Sequence, residues 1–199
     1  MMKLTYAEIF KRSEILNPIS PTALIKAAKL AGIGPTSLIL DLGSGKAYPS
    51  LLWAGSFGSR IEGFDIDKSF VEYANKHAEL LNLSHIAHYT CKDVTELVID
   101  RKYDAVASLG LGVARVYGDY GNALRIFRNL LRKGGVLIFA EPVWLVKPVP
   151  PEAMMALGEA EDNLHTEAEM RQLLEEYGYN VLGCLASSRE DWELYVRPI

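Results

Sequence analysis

Cysteine is scarce in this chain: two in 199 residues, Cys91 and Cys184. That excludes a disulfide framework and gives no metal-ligand spacing, so no metal site is expected. Both cysteines lie in apolar runs and are expected as small buried hydrophobes. Positive charge is also short, with 21 lysines and arginines against 25 acidic residues and a net charge of −4. Such a balance provides no general pull toward nucleic acid or an anionic membrane. The one basic cluster, Arg125, Arg128, Arg132 and Lys133, alternates at helical spacing with Leu124, Phe127, Leu130 and Leu131, and reads as the wet face of an amphipathic helix. Long apolar runs are missing too. None approaches the roughly 20 residues that span a bilayer, and Met1 to Glu8 lacks the apolar core of a signal peptide. The expectation is a cytoplasmic protein. There is no repeat, low-complexity tract or linker. With 49% hydrophobic residues, residues 1–199 are read as a single domain with a sizeable core.

What is present is organised around Ile39-Leu40-Asp41-Leu42-Gly43-Ser44-Gly45-Lys46-Ala47. An apolar run, Ser37 to Leu40, reads as a buried strand. The two glycines allow a tight turn and a close ligand approach where a Cβ would collide. A helix follows past Pro49.

The rest of the chain repeats strand and helix. Residues 5–15 suit a short helix, which Asn17 to Pro21 break. Ser20 as N-cap and Pro21 at the first position open a helix to about Ala31, closed by Gly32 and Gly34. Together residues 1–34 form a helical cover. Ile61–Asp65 is the second strand. Asp67 to about Leu83 is a helix, with Ser69 and Glu72 as a capping box. Ile86–Thr90 and Tyr103–Ser108 are the third and fourth strands. A helix over 120–131 stops at Gly134-Gly135, and the wholly apolar Val136–Ala140 is a strand covered on both faces. Repeated β-α units with right-handed crossovers imply a parallel sheet, an α/β doubly wound, Rossmann-like fold. Residues 142–165, with Pro142, Pro148, Pro150 and Pro151 at the start, form an insertion long enough to be functional or mobile, placed over the substrate side. A capping box at Thr166 and Glu169 starts a helix ending at Gly178. Strands near 179–186 and 192–196, with a turn over 187–191, read as a hairpin.

Asp41, Asp65, Asp93 and Ser108 all stand at carboxyl ends of successive strands, and the switch-point rule sends all four into one crevice. Asp65 is placed to accept both hydroxyls of a ribose, or else to cap the next helix. Asp93 is placed to accept an adenine amino group, or else to form a turn. Ile66 and Val94 would sandwich a flat base, or belong to the core. Asp41 puts a negative charge where a nicotinamide-binding loop has none, and the third glycine that a pyrophosphate prefers is absent. A cofactor carrying positive charge fits better.

Leu40-Asp41-Leu42-Gly43-Ser44-Gly45, Gly63-Phe64-Asp65-Ile66-Asp67, Lys92-Asp93-Val94, Tyr103-Asp104-Ala105-Val106 and Leu131 to Leu137 stand in an order that resembles the class I S-adenosylmethionine (SAM)-dependent methyltransferases, over roughly residues 37–140. The resemblance implies a seven-stranded sheet with helices on both faces and an antiparallel last strand. It implies SAM as cofactor and S-adenosylhomocysteine (SAH) as product. Gly43, Ser44 and Gly45 would pass under the methionine part, Asp65 would hold the ribose, and Asp93 would meet the adenine amine. The backbone near Ser108 would hold the cofactor's amino group. Ala47 stands where many members carry a third glycine. Lys46 either pairs with the SAM carboxylate or is a solvated lysine at a helix start.

Methyl transfer from a sulfonium needs positioning first and a base only where the acceptor must lose a proton early. Glu141 is the first candidate for a base or an acceptor-orienting group, against a purely structural role. Tyr6 and Tyr117, with Tyr120 and Trp144, are candidates for an aromatic wall around the acceptor, against simple packing. After the fourth strand the chain reads Ser108-Leu109-Gly110-Leu111-Gly112, without the Asn/Asp-Pro-Pro-aromatic motif of enzymes that methylate adenine or amide nitrogen. The expectation is a SAM-dependent methyltransferase acting on a small molecule. A SAM-binding protein without turnover is the alternative, and a nicotinamide-dependent oxidoreductase a more remote one. The acceptor and the oligomeric state are left open.

Overall fold

A computed structural model describes residues 15–152 and 164–196. Its elements run α1 (Pro21–Leu30), β1 (Leu38–Leu42), α2 (Tyr48–Phe57), β2 (Arg60–Asp65), α3 (Lys68–Leu80) and β3 (Ala87–Cys91). They continue with β4 (Tyr103–Leu109), α4 (Val113–Tyr117), α5 (Tyr120–Leu130), β5 (Leu131–Ala140), α6 (Glu167–Glu176) and α7 (Arg189–Val196). The strands form one sheet in the order β3-β2-β1-β4-β5, and every pairing is parallel. From β1 the chain winds outward to β2 and β3, then returns across the sheet to β4. The winding therefore reverses between β1 and β4, which is where a doubly wound sheet opens a ligand crevice.

Alternation along the strands assigns each apolar side chain to one of two layers. Ile39, Ile61, Ala105 and Ile138 face Leu24, Trp53 and Ala74 of the helices on one side. Leu40, Leu42 and Val106 face Tyr120, Phe127 and Met170 on the other. Local signals fix the helix ends. Ser20 accepts from the Ala23 amide with Pro21 at the first helical position. Thr166 and Glu169 complete a reciprocal capping box. The basic cluster on α5 fastens the chain beyond α6: Arg128 donates to the Tyr177 carbonyl at 2.6 Å, and Arg125 lies 5.1 Å from the Tyr177 ring.

Several expectations are corrected. The sheet has five strands among the described residues, not seven, and no antiparallel one. No strand forms over 179–188, and the segment read as the second half of a hairpin is helix α7. The reason is local: Ser188 accepts from the Asp191 amide while Asp191 accepts from the Ser188 amide. The supposed turn is thus a capping box, reinforced by the Arg189–Glu193 pair at 2.9 Å. β5 is an edge strand among the described residues, so its apolar side chains are mostly half-buried rather than covered on both faces. Gly134 and Gly135 do not cap α5. They lie in an irregularity where β5 shifts register against β4, and a Cβ on Gly135 would come within 3.0 Å of two carbonyls. Asp67, not Ser69 with Glu72, caps α3. Both cysteines are exposed rather than buried. The expected helix over 5–15 falls almost wholly outside the described residues, as does much of the insertion.

Trp53 is fully buried and its indole donates to the Leu24 carbonyl at 3.0 Å, tying α2 to α1. Trp53→Ala is expected to lower stability by about 3–5 kcal/mol, read as a fall in the urea midpoint by circular dichroism.

Candidate cofactor and acceptor site

The crevice is built where the winding reverses. β1 delivers Asp41 and then the glycine turn, whose Gly43 and Ser44 amides both donate to the Phe64 carbonyl of β2, at 2.9 and 3.0 Å. Gly43 and Gly45 have φ of 71° and 52°, in the left-handed region that favours glycine. A Cβ on Gly43 would collide with the Leu111 side chain, and one on Gly45 would meet Leu16 at 2.7 Å. Ala47 also adopts a positive φ, 63°, so the turn reaches its geometry without a third glycine at the cost of some backbone strain.

Asp65 ends β2 and holds the turn in place. Its Oδ2 accepts from the Gly45 amide at 2.7 Å and its Oδ1 from the Asp67 amide at 2.8 Å. Burial pushes its pKa up, and these amides pull it back. Asp65 does not cap α3. Ile66 beside it is 71% exposed, so this aliphatic chain is available to a flat ligand and is not part of the core. Val94 is half-buried and packs on the α5 side of the sheet.

Three polar atoms of the crevice are buried without a hydrogen-bond partner among the described residues: Asp41 Oδ2, Ser44 Oγ and Ser108 Oγ. Unpaired buried polar atoms are costly and few in folded proteins. Here they cluster at the ends of β1 and β4 and fit a polar ligand. Asp41 is 3% exposed. Burial, and less so the nearby Asp65 charge, push its pKa up to about 6 against the Ser50 hydroxyl, which favours ionisation. Two carboxylates that feel each other across a buried turn make the crevice suit a cation and oppose an anion.

Asp93 follows β3 and caps a short 3-10 turn, Val94–Glu96. Its Oδ1 accepts from the Thr95 amide and hydroxyl at 2.8 and 2.7 Å, which hold its pKa below the usual carboxylate range. Its turn-forming role is therefore realised, with the residue half-buried. Tyr117 lies close enough to feel the Asp93 charge; burial first, and Asp93 next, push its phenol up to about 12. Glu141 leaves the end of β5 and its Oε1 accepts from the Gly112 and Val113 amides at 3.0 and 3.2 Å. The structural role of Glu141, holding the start of α4, is thus occupied by one oxygen. Burial raises its pKa. Tyr6 lies outside the described residues.

This arrangement has counterparts. Residues 39–135 match the methyltransferase-domain family. Over that stretch the chain is similar to methyltransferase domains. Over 182 residues it is 26% identical to the protein YjhP of Escherichia coli K12, covering 91% of this chain and 73% of YjhP. The crystal structure of YjhP superposes with a TM-score of 0.88 at 25% identity, covering 96% of this chain and 78% of that one. A SAM-dependent methyltransferase from Thiobacillus denitrificans, solved with SAH, has a TM-score of 0.88 at 22% identity, covering 99% of this chain and 80% of its own. One from Geobacter sulfurreducens, also with SAH, has a TM-score of 0.88 at 24% identity, covering 100% of this chain and 80% of its own.

Two features of this site depart from the sequence reading. Lys46 is not solvated: it is 6% exposed, with its ammonium 4.9 Å from the Tyr73 ring centroid and 5.8 Å from that of Phe70. An ammonium over two rings is a cation–π arrangement, signalled in sequence only by aromatics one helical turn apart on α3. His165 carries no sequence signal of a site role. Its ring packs 5.2 Å from that of Tyr120, and nothing local marks it, because the contact joins segments 45 residues apart. No helix among the described residues is long and apolar enough to cross a membrane.

The folded state holds the Asp41 proton more tightly than the unfolded chain, whose carboxylate titrates near 3.8. This group's contribution to stability is therefore fully present below pH 4 and lost as pH rises through about 6. The loss amounts to about 3 kcal/mol at neutral pH. Asp41→Asn is expected to flatten the fall in the urea midpoint between pH 4 and 7, and to leave the ligand-free protein more stable than wild type at pH 7.5.

Proposed function

We propose that this protein transfers a methyl group from SAM to a small-molecule acceptor. The observation that carries the reading is the buried Asp41 carboxylate beside the glycine turn, with one oxygen unpartnered and Asp65 nearby. A pair of carboxylates there favours a cationic ligand and opposes a pyrophosphate, which sets SAM apart from a nicotinamide dinucleotide. The methyltransferase-domain match and the SAH held by the Thiobacillus and Geobacter proteins support the same cofactor.

In this reading the glycine turn lets the methionine part approach the backbone. Asp41 and the Ser44 and Ser108 hydroxyls receive its polar groups. Asp65 keeps free lone pairs after accepting two amides, and these accept the ribose hydroxyls. Asp93, half-buried near Tyr117, accepts the adenine amine, and Ile66 and Val94 flank the base. SAM supplies a methyl on a good leaving group, so the protein's task is to orient an acceptor and exclude water. The acceptor side is formed by Glu141, Tyr117, Tyr120 and Trp144 at the ends of β4 and β5.

Thermal unfolding with SAM, SAH and NADH tests the cofactor. At a hundredfold excess over Kd, SAH is expected to add about 2.7 kcal/mol to stability, seen as a raised midpoint, while NADH leaves the midpoint unchanged. Asp65→Ala is expected to abolish the SAH shift. Stabilisation by NADH and not by SAM would overturn the reading. Binding of SAM with no methyl transfer across a broad acceptor screen would favour a non-catalytic SAM-binding protein.

A further inference from the structure

Three side chains from separate elements converge outside the carboxyl end of β5. Glu141 leaves the strand itself. Tyr120 stands at the first position of α5, behind its Asp119 cap, and His165 directly precedes the Thr166 cap of α6. Residues at the starts of helices in this fold lie on the ligand side of the sheet. The Tyr120 ring meets Phe139 of β5 edge-on at 6.3 Å and 86°, and its phenol feels the Glu141 charge. The His165 ring lies 5.2 Å from the Tyr120 ring, tilted by 43°.

His165 is held from both sides. Its carbonyl accepts from the Trp144 amide at 2.9 Å, and Trp144 and Thr166 form a parallel bridge. Thr166 is then locked by its capping box. The imidazole is therefore positioned on a frame pinned to the chain three residues past Glu141. The cluster also connects to the cofactor turn, because Glu141 accepts the amides of Gly112 and Val113, and neighbouring Leu111 packs against Gly43.

The three groups differ in what they can do. Glu141 holds two amides through Oε1. Burial first, and the Glu141 charge next, push the Tyr120 phenol up to about 12, so it keeps its proton near neutrality. Imidazole is the side chain suited to exchanging a proton there. On the segment leading to His165 and on α6, Lys147 pairs with Glu169 at 2.7 Å and Glu167 with Arg171 at 2.9 Å.

We propose that His165 is the base of the acceptor site, receiving the proton of an oxygen or nitrogen nucleophile that stacks beside Tyr120. This deepens the methyltransferase reading and rests on it. The acceptor's lone pair forms the new bond to the methyl carbon as the carbon–sulfur bond breaks. That bond's electron pair stays on sulfur, turning the sulfonium into a neutral thioether. The acceptor's proton passes to the imidazole, leaving an imidazolium. Acceptors without an ionisable hydrogen are excluded as good substrates.

The test needs no known acceptor. The ring signals of His77, His85, His88 and His165 are followed by NMR against pH in the free protein, with SAH, and with sinefungin. Sinefungin is a SAM analogue that carries an amine where the methyl sits. His165→Gln identifies the His165 signal, and ring-to-backbone correlations in the wild type identify it independently should that variant not fold. A cation placed at the methyl position disfavours a nearby imidazolium. Sinefungin is therefore expected to lower the His165 midpoint by half a unit or more relative to SAH, with the other three unmoved. Binding of both ligands with no difference at His165 would overturn the proposal and leave the methyltransferase reading standing. Failure of both to bind would overturn the two together.

Discussion

The Asp65 carboxylate, holding the Gly45 amide at 2.7 Å, is the contact on which the crevice depends. It ties the end of β2 to the turn that follows β1. The Gly43 and Ser44 amides complete the tie by donating to Phe64. Backbone groups in such a turn must find partners, and here β2 supplies them. The turn is therefore held against β2 with its left-handed residues in place. The turn cannot close over the crevice without breaking bonds to the neighbouring strand.

The same contact accounts for the electrostatics. Asp65 is engaged with backbone amides, yet it still acts on the buried Asp41. Asp41 has only the Ser50 hydroxyl to offset its burial, and Ser50 is itself bonded to the Tyr89 phenol at 3.0 Å. The result is a polar, electron-rich floor between β1 and β4 that the fold tolerates at a cost in stability. Sites that store unfavourable burial in this way are where ligand binding returns the energy. The acceptor side is different in character. There the phenols, a half-buried imidazole and Glu141 come from α4, α5, the end of β5 and the lead-in to α6.

Much of the fold could be read in the chain because its signals are local. Ser20-Pro21 and Thr166 with Glu169 mark helix starts through contacts within one turn. The apolar run of β1 announces a buried strand. Where local signals competed, reading failed. The stretch 187–191 carries both turn chemistry and a Ser-x-x-Asp capping box, and the box prevails because Arg189 and Glu193 extend the helix. Gly134-Gly135 resembles a helix stop but lies in the irregularity between β4 and β5, which depends on the partner strand. Lys46 looked solvated because its aromatic partners lie on α3, across the crossover.

By itself the sequence determined the glycine turn, the acidic residues at strand ends and the parallel α/β class, since these follow from residue type and short spacing. Only tertiary structure decided which polar atoms are left unpartnered, that Glu141 holds α4 through one oxygen, and that His165 meets Tyr120. Those facts depend on elements distant in sequence packing against one another, and no spacing along a single segment encodes them.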